Sequence, residues 1–132
     1  MAYQLAPQLQ QDCIIIANWS LCDVLLMNDA QYPWFILVPR VAQAKEIIDL
    51  SDEQQQQFWQ ESAKLSKLLQ DTFNPDKLNV AALGNMVPQL HVHHIARFKS
   101  DPAWPKPVWG LLPAQPYTSE QIAQLKLSFE QQ

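Results

Sequence analysis

Gln89-Leu90-His91-Val92-His93-His94-Ile95-Ala96-Arg97 is the stretch on which the fold turns. It reads as a strand, and successive strand side chains face opposite ways. Gln89, His91 and His93 therefore share one face, while Leu90 and Val92 point into a core. Two imidazoles and a carboxamide in one row are costly to hold without a use. With Gly84-Asn85 just upstream, the row marks a candidate site. His94 falls on the opposite face and is expected at a partly wet edge.

Working outward, three short apolar runs precede this strand. They are Cys13 to Ala17, Val24 to Met27 and Trp34 to Val38, all rich in β-formers. Asn28 to Pro33 supplies turn chemistry between the second and third. A short helix is expected over Ala42 to Ile48. Ser51-Asp52-Glu53-Gln54 is a capping box with acids at the positive end of a helix. Phe58, Leu65, Leu69 and Phe73 follow at spacings of 7, 4 and 4, one helical stripe, and Phe58 and Trp59 read as core. Asn74-Pro75-Asp76 stops that helix. Leu78 to Leu83 is a fourth strand and Gln89 to Arg97 the fifth. A loop rich in proline and tryptophan, Asp101 to Gly110, comes next. Thr118-Ser119-Glu120-Gln121 then caps a last helix that carries Ile122, Leu125 and Phe129 on one side. This order lacks regular strand–helix alternation. It predicts one α+β domain over residues 1–132, a mostly antiparallel five-stranded sheet with two main helices.

Composition bounds the function. A chain of 132 residues with 48% apolar and 17% charged residues is long and apolar enough for its own core. A net charge of −4 argues against tight binding to a nucleic-acid polymer, while a small nucleotide needs only local donors. With no signal-peptide pattern and no apolar run near 18 residues, a cytoplasmic protein without membrane contact is expected. Cys13 and Cys22 read as buried thiols, with one disulfide between them left open.

Two chemistries suit the row. His91, His93 and His94 offer three nitrogens to a metal, although no acid or thiol nearby completes a set. Alternatively, a neutral imidazole can attack phosphorus, giving a phosphoramidate that water opens. The phosphate oxygens then need donors, which Asn85, Gln89 and His93 can supply, with Gly84 allowing close backbone approach. Arg97 can contact phosphate or sit as a strand-end cation. Trp104 and Trp109 can wall a base pocket or pack the loop.

Asn79, Gly84-Asn85 and Gln89-Leu90-His91-Val92-His93-His94-Ile95 together resemble the signature of the histidine triad (HIT) superfamily, His-φ-His-φ-His-φ-φ with φ apolar. Residues Met27-Asn28 through Pro39-Arg40 and Ile48 to Ser51 are similar to the segment before it, so the resemblance spans most of 12–100. It implies a nucleotide hydrolase or transferase working through a nucleotidyl-histidine. Its substrates would be nucleoside phosphoramidates or dinucleoside polyphosphates, and it would need no cofactor and form a homodimer. By the same resemblance His91 is the nucleophile, His93 bonds the phosphate and Asn85 is the phosphate-contacting amide. Asn28 falls at a ribose contact, and Asn79 near a position that orients the nucleophile. Two departures stand out. Gln89 replaces the first motif histidine and cannot shuttle a proton, and His94 replaces an apolar residue. The rival function is a nucleotide-binding or regulatory module that has lost turnover.

Overall fold

The computed structural model describes residues 2–130. Helix α1 (Pro7–Asp12) leads into strands β1 (Cys13–Asn18), β2 (Cys22–Met27) and β3 (Trp34–Pro39). Helix α2 (Asp52–Phe73), strands β4 (Lys77–Ala82) and β5 (Val92–Arg97) and helix α3 (Ser119–Glu130) complete the chain. The five strands form one sheet in the order β1-β2-β3-β5-β4, every neighbouring pair antiparallel. This is the expected α+β architecture.

β5 lies between β3 and β4, so both of its edges are paired, and with packing on both faces every residue in it is buried. On one face the core gathers Leu26, Phe35, Leu37 and Val92 against Phe58, Leu65 and Leu69 of α2 and Phe129 of α3. On the other, Leu25, Trp34, Ile36, Val38 and Ile95 pack against Leu9 of α1 and Ala103 and Val108 of the proline-rich loop. The second cover is what carries the site.

Helix α2 starts where its sequence says. The Ser51 hydroxyl accepts from the Gln54 amide while the Gln54 side chain accepts from the Ser51 amide, two otherwise orphaned donors. Asn74, left-handed at φ 50°, ends it. Thr118 and Gln121 close the same reciprocal box on α3.

Several local expectations need correction. No helix covers Ala42 to Ile48. Gln43 adopts a left-handed φ of 65°, and only a 3-10 turn, Ile47–Asp49, forms, with the Asp49 carboxylate accepting from the Lys45 and Glu46 amides. Trp59 is 52% exposed, because one residue along a helix turns it about 100° from the Phe58 stripe. The fifth strand begins at Val92 rather than Gln89. Cys13 and Cys22 are free thiols, the second buried and the first half-buried. Helix α1, with Pro7 in its first turn, had no counterpart in the expected element order.

Candidate active site

The row leading into β5 keeps His91 and His93 on one face but divides its labour. His91 and His93 face one side, where with Gly84, Asn85, Met86, Val87, Trp109 and the α1 residues Gln8, Leu9 and Asp12 they line a cavity of about 540 Å³. That is the size of a small-molecule site. Gly84 adopts φ +136°, a backbone region that side-chain-bearing residues avoid, and this turns the chain from β4 into the cavity wall.

The hydrogen bonds fix the protons on both rings. His91 Nδ1 lies 2.7 Å from the Gln89 carbonyl oxygen. A carbonyl only accepts, so Nδ1 carries the hydrogen, and in the neutral ring the lone pair lies on Nε2. His93 is the mirror case. The Trp34 indole Nε1 donates to His93 Nδ1 at 2.9 Å, and indole nitrogen only donates, so the His93 proton sits on Nε2. Burial pushes the His93 ring down to about 3, helped by the positive charge that His91 and His94 can carry nearby, and the ring stays neutral. One histidine thus shows a lone pair and its neighbour an N–H, with ring centroids 5.1 Å apart.

The aromatic surround holds this pair in place. The His93 ring packs edge-to-face on Trp109 at 5.2 Å and against Trp34 at 5.7 Å. The Trp109 indole nitrogen is itself buried and, among the described residues, has no hydrogen-bond partner beside the cavity.

Gln89 is not part of this wall. Its side-chain oxygen accepts from the Ala6 amide at 2.8 Å and its nitrogen donates to the Gln4 carbonyl at 2.8 Å, strapping the N-terminal segment to the sheet. Only its backbone carbonyl serves the site, through His91. The strand's late start explains this, since residue 89 precedes the regular alternation. His94 also departs from expectation. It is fully buried on the α2 face, donating from Nδ1 to the Val92 carbonyl and accepting at Nε2 from the Ser62 hydroxyl at 2.7 Å. It therefore cannot join His91 and His93 around a metal. Among the described residues, no group of three His, Cys, Asp or Glu converges to hold one.

The other expected contacts lie elsewhere. Arg97, 2% exposed, makes a bidentate pair with Asp101, donates to the Asn79 side chain at 2.9 Å and to the Lys106 carbonyl at 2.8 Å. It holds the proline-rich loop against the sheet and leaves neither Arg97 nor Asn79 facing the cavity. Trp104 stands over that guanidinium, 5.7 Å from its ring centroid, so of the two tryptophans expected at the pocket only Trp109 lines the cavity. Asn28 accepts from the Tyr117 amide and so ties down the segment before α3, while its neighbour Met27 lines the cavity. Sequence reading missed Trp34, Gln8 and Asp12. For α1 a signal existed, in Pro7 followed by Leu9. For Trp34 there was none, because its partner lies 59 residues away.

Comparison with known proteins places this geometry. The model of the HIT domain matches residues 8–100. A histidine triad protein from Marinobacter aquaeolei VT8 is 53% identical, with a TM-score of 0.96 over 99% of this chain and 96% of that one. One from Bradyrhizobium japonicum is 44% identical, with a TM-score of 0.96 over 99% and 98%. A third, from Sinorhizobium meliloti 1021, is 39% identical, with a TM-score of 0.95 over 98% and 96%. No curated protein matches the chain significantly.

Proposed function

The chain belongs to the HIT domain family, and from that premise we propose that it is a nucleotide hydrolase or transferase with His91 as nucleophile. The observation that carries this reading is the His91 ring, held by the Gln89 carbonyl so that its Nε2 lone pair is free at a cavity of nucleotide size. The substrate is a nucleoside phosphoramidate or dinucleoside polyphosphate, bound with its α-phosphorus against His91. Nε2 attacks phosphorus, an N–P bond forms and the bond to the leaving group breaks. Water then attacks the same phosphorus, releasing nucleoside monophosphate and restoring the imidazole. Charge building on the phosphoryl oxygens meets the His93 Nε2–H, a donor already oriented by Trp34, and the Asn85 amide at the cavity rim. The proton on His91 Nδ1 stays with the Gln89 carbonyl, which supports the positive charge the ring acquires.

Residue 89 offers no side chain to the leaving group, and His93 holds its proton as a weak neutral donor. The leaving group accordingly departs unprotonated or takes its proton from water. No cofactor takes part. The acting species is a homodimer in the cytoplasm. Among the described residues no helix is long and apolar enough to cross a membrane.

A second reading, a nucleotide-binding module without turnover, draws on the same missing acid. Incubation with adenosine phosphoramidates and diadenosine polyphosphates, followed by acid quench and mass spectrometry, separates the two. A one-nucleotide adduct on His91, absent from His91→Ala, supports the enzyme. Nucleotide binding with neither adduct nor turnover supports the module.

A further inference from the structure

The indole of Trp34 meets the site from β3, where a hydrophobic side chain would suffice for packing. It is 6% exposed, its face packs near Tyr32 and Trp109, and its nitrogen is aimed at His93 Nδ1. A donor-only partner at that nitrogen does two things at once. It forces the single proton of the neutral ring onto Nε2, and it occupies the atom where a second proton would have to bind.

We propose that Trp34 is a positioning residue that locks His93 as the neutral Nε2–H tautomer, so that His93 serves its cavity as a permanent hydrogen-bond donor and not as a proton carrier. The strand partners of His93 are Ile36 on β3 and Ala81 on β4, and the proline-rich loop contributes the Trp109 ring. Among the described residues, the titratable groups near it are His91 just before its strand, His94 on the strand and Asp12, which lines the same cavity from α1. A histidine locked this way differs from one poised to titrate. Its donor is present at every pH at which the protein is folded, and the ring beside His91 does not become charged. The lock deepens the reading of His91 and His93 as a phosphoryl site, yet it can be measured without any substrate.

Long-range ¹H–¹⁵N spectra of ligand-free protein labelled at histidine, recorded from pH 8 to 5, test it. The expected His93 pattern is one protonated nitrogen, Nε2, and one imine nitrogen, Nδ1, neither moving over that range. In Trp34→Phe, which keeps the ring and drops the donor, the Nδ1 resonance should move toward that of an unbonded imine and the other tautomer should become populated. A His93 that carries its proton on Nδ1, titrates above pH 5 in the wild type, or gives the same spectrum in Trp34→Phe overturns the proposal. Should Trp34→Phe fail to fold, the wild-type tautomer and its titration still decide. Because no nucleotide is present, the outcome is independent of whether His91 forms an adduct.

Discussion

Acidifying the protein from pH 8 to 5 should remove a large part of its stability through two histidines. His93 is held down to about 3 and His94 to about 4, against 6.5 for a free imidazole, in both cases chiefly because burial penalises the charged ring. Both folded-state values lie below the unfolded one. Their contribution is therefore complete above about pH 6.5 and is lost as pH falls through the window from 6.5 toward 3 to 4. At pH 5 an unfolded histidine is almost fully protonated while each buried ring is still largely neutral. That difference costs about 2 kcal/mol per ring, or about 4 kcal/mol for the pair, at 1.36 kcal/mol per unit. A domain of this size has only about 5–15 kcal/mol to lose. Urea titrations at half-unit steps give the slope directly. Near pH 5 it should approach about 2.7 kcal/mol per pH unit, two protons taken up on unfolding. The depressed carboxylates Asp49 and Asp101 act lower, below their ordinary 3.8, and contribute little in this range. His94→Gln, which keeps an acceptor for Ser62, should cut the uptake to about one proton whatever it does to absolute stability. A slope near zero, or one unchanged in that variant, refutes the assignment of neutral buried rings.

Other consequences can be measured by the same unfolding assay. Arg97→Ala takes the charged partner from the buried Asp101 carboxylate, leaving it only the Phe98, Ala103 and Trp104 amides, and frees the half-buried Asn79 oxygen; it should cost about 3–5 kcal/mol. Gln89→Ala removes two hydrogen bonds to the N-terminal segment, so about 1–2 kcal/mol should be lost and the Ala6 amide should exchange faster. The Gln89 carbonyl survives that change, and His91 should still form its adduct. Ser51→Ala breaks the α2 capping box, and a loss of about 1 kcal/mol is expected.

How much of this was legible in the sequence follows from the range of each interaction. The five strands, the capping of α2 and α3 and the facing of His91 and His93 depend on neighbours within a few residues, and periodicity reports such neighbours. Trp59 shows the limit even there. Adjacent aromatic residues on a helix read alike, and only the stripe position decides which is buried. Arg97, Gln89 and His94 were misjudged for a different reason. Each is a polar residue beside the motif, and each is absorbed by a partner that sequence cannot bring near: Asn79 and Asp101, the Gln4 carbonyl 85 residues away, and Ser62 32 residues away. A pattern shows that a polar group needs a partner without saying which.

The same point bears on why Gln89 can stand where a histidine is expected. The part of residue 89 that reaches His91, the proposed nucleophile, is its backbone carbonyl, at 2.7 Å from His91 Nδ1, and any residue keeps that group. Orientation of the nucleophile is thus insensitive to the side chain, which is free to strap the N-terminal segment beneath α1. That strap in turn helps place α1, whose Gln8, Leu9 and Asp12 close one wall of the cavity. The substitution therefore trades a possible proton donor for a built wall. In the proposed mechanism it separates attack on phosphorus from protonation of what leaves. If that separation holds, His91 adducts should form fastest from substrates whose leaving groups are weak bases. A comparison of adduct rates across leaving groups of graded basicity would show a steep dependence, whereas a flat one would mean that another group supplies the proton.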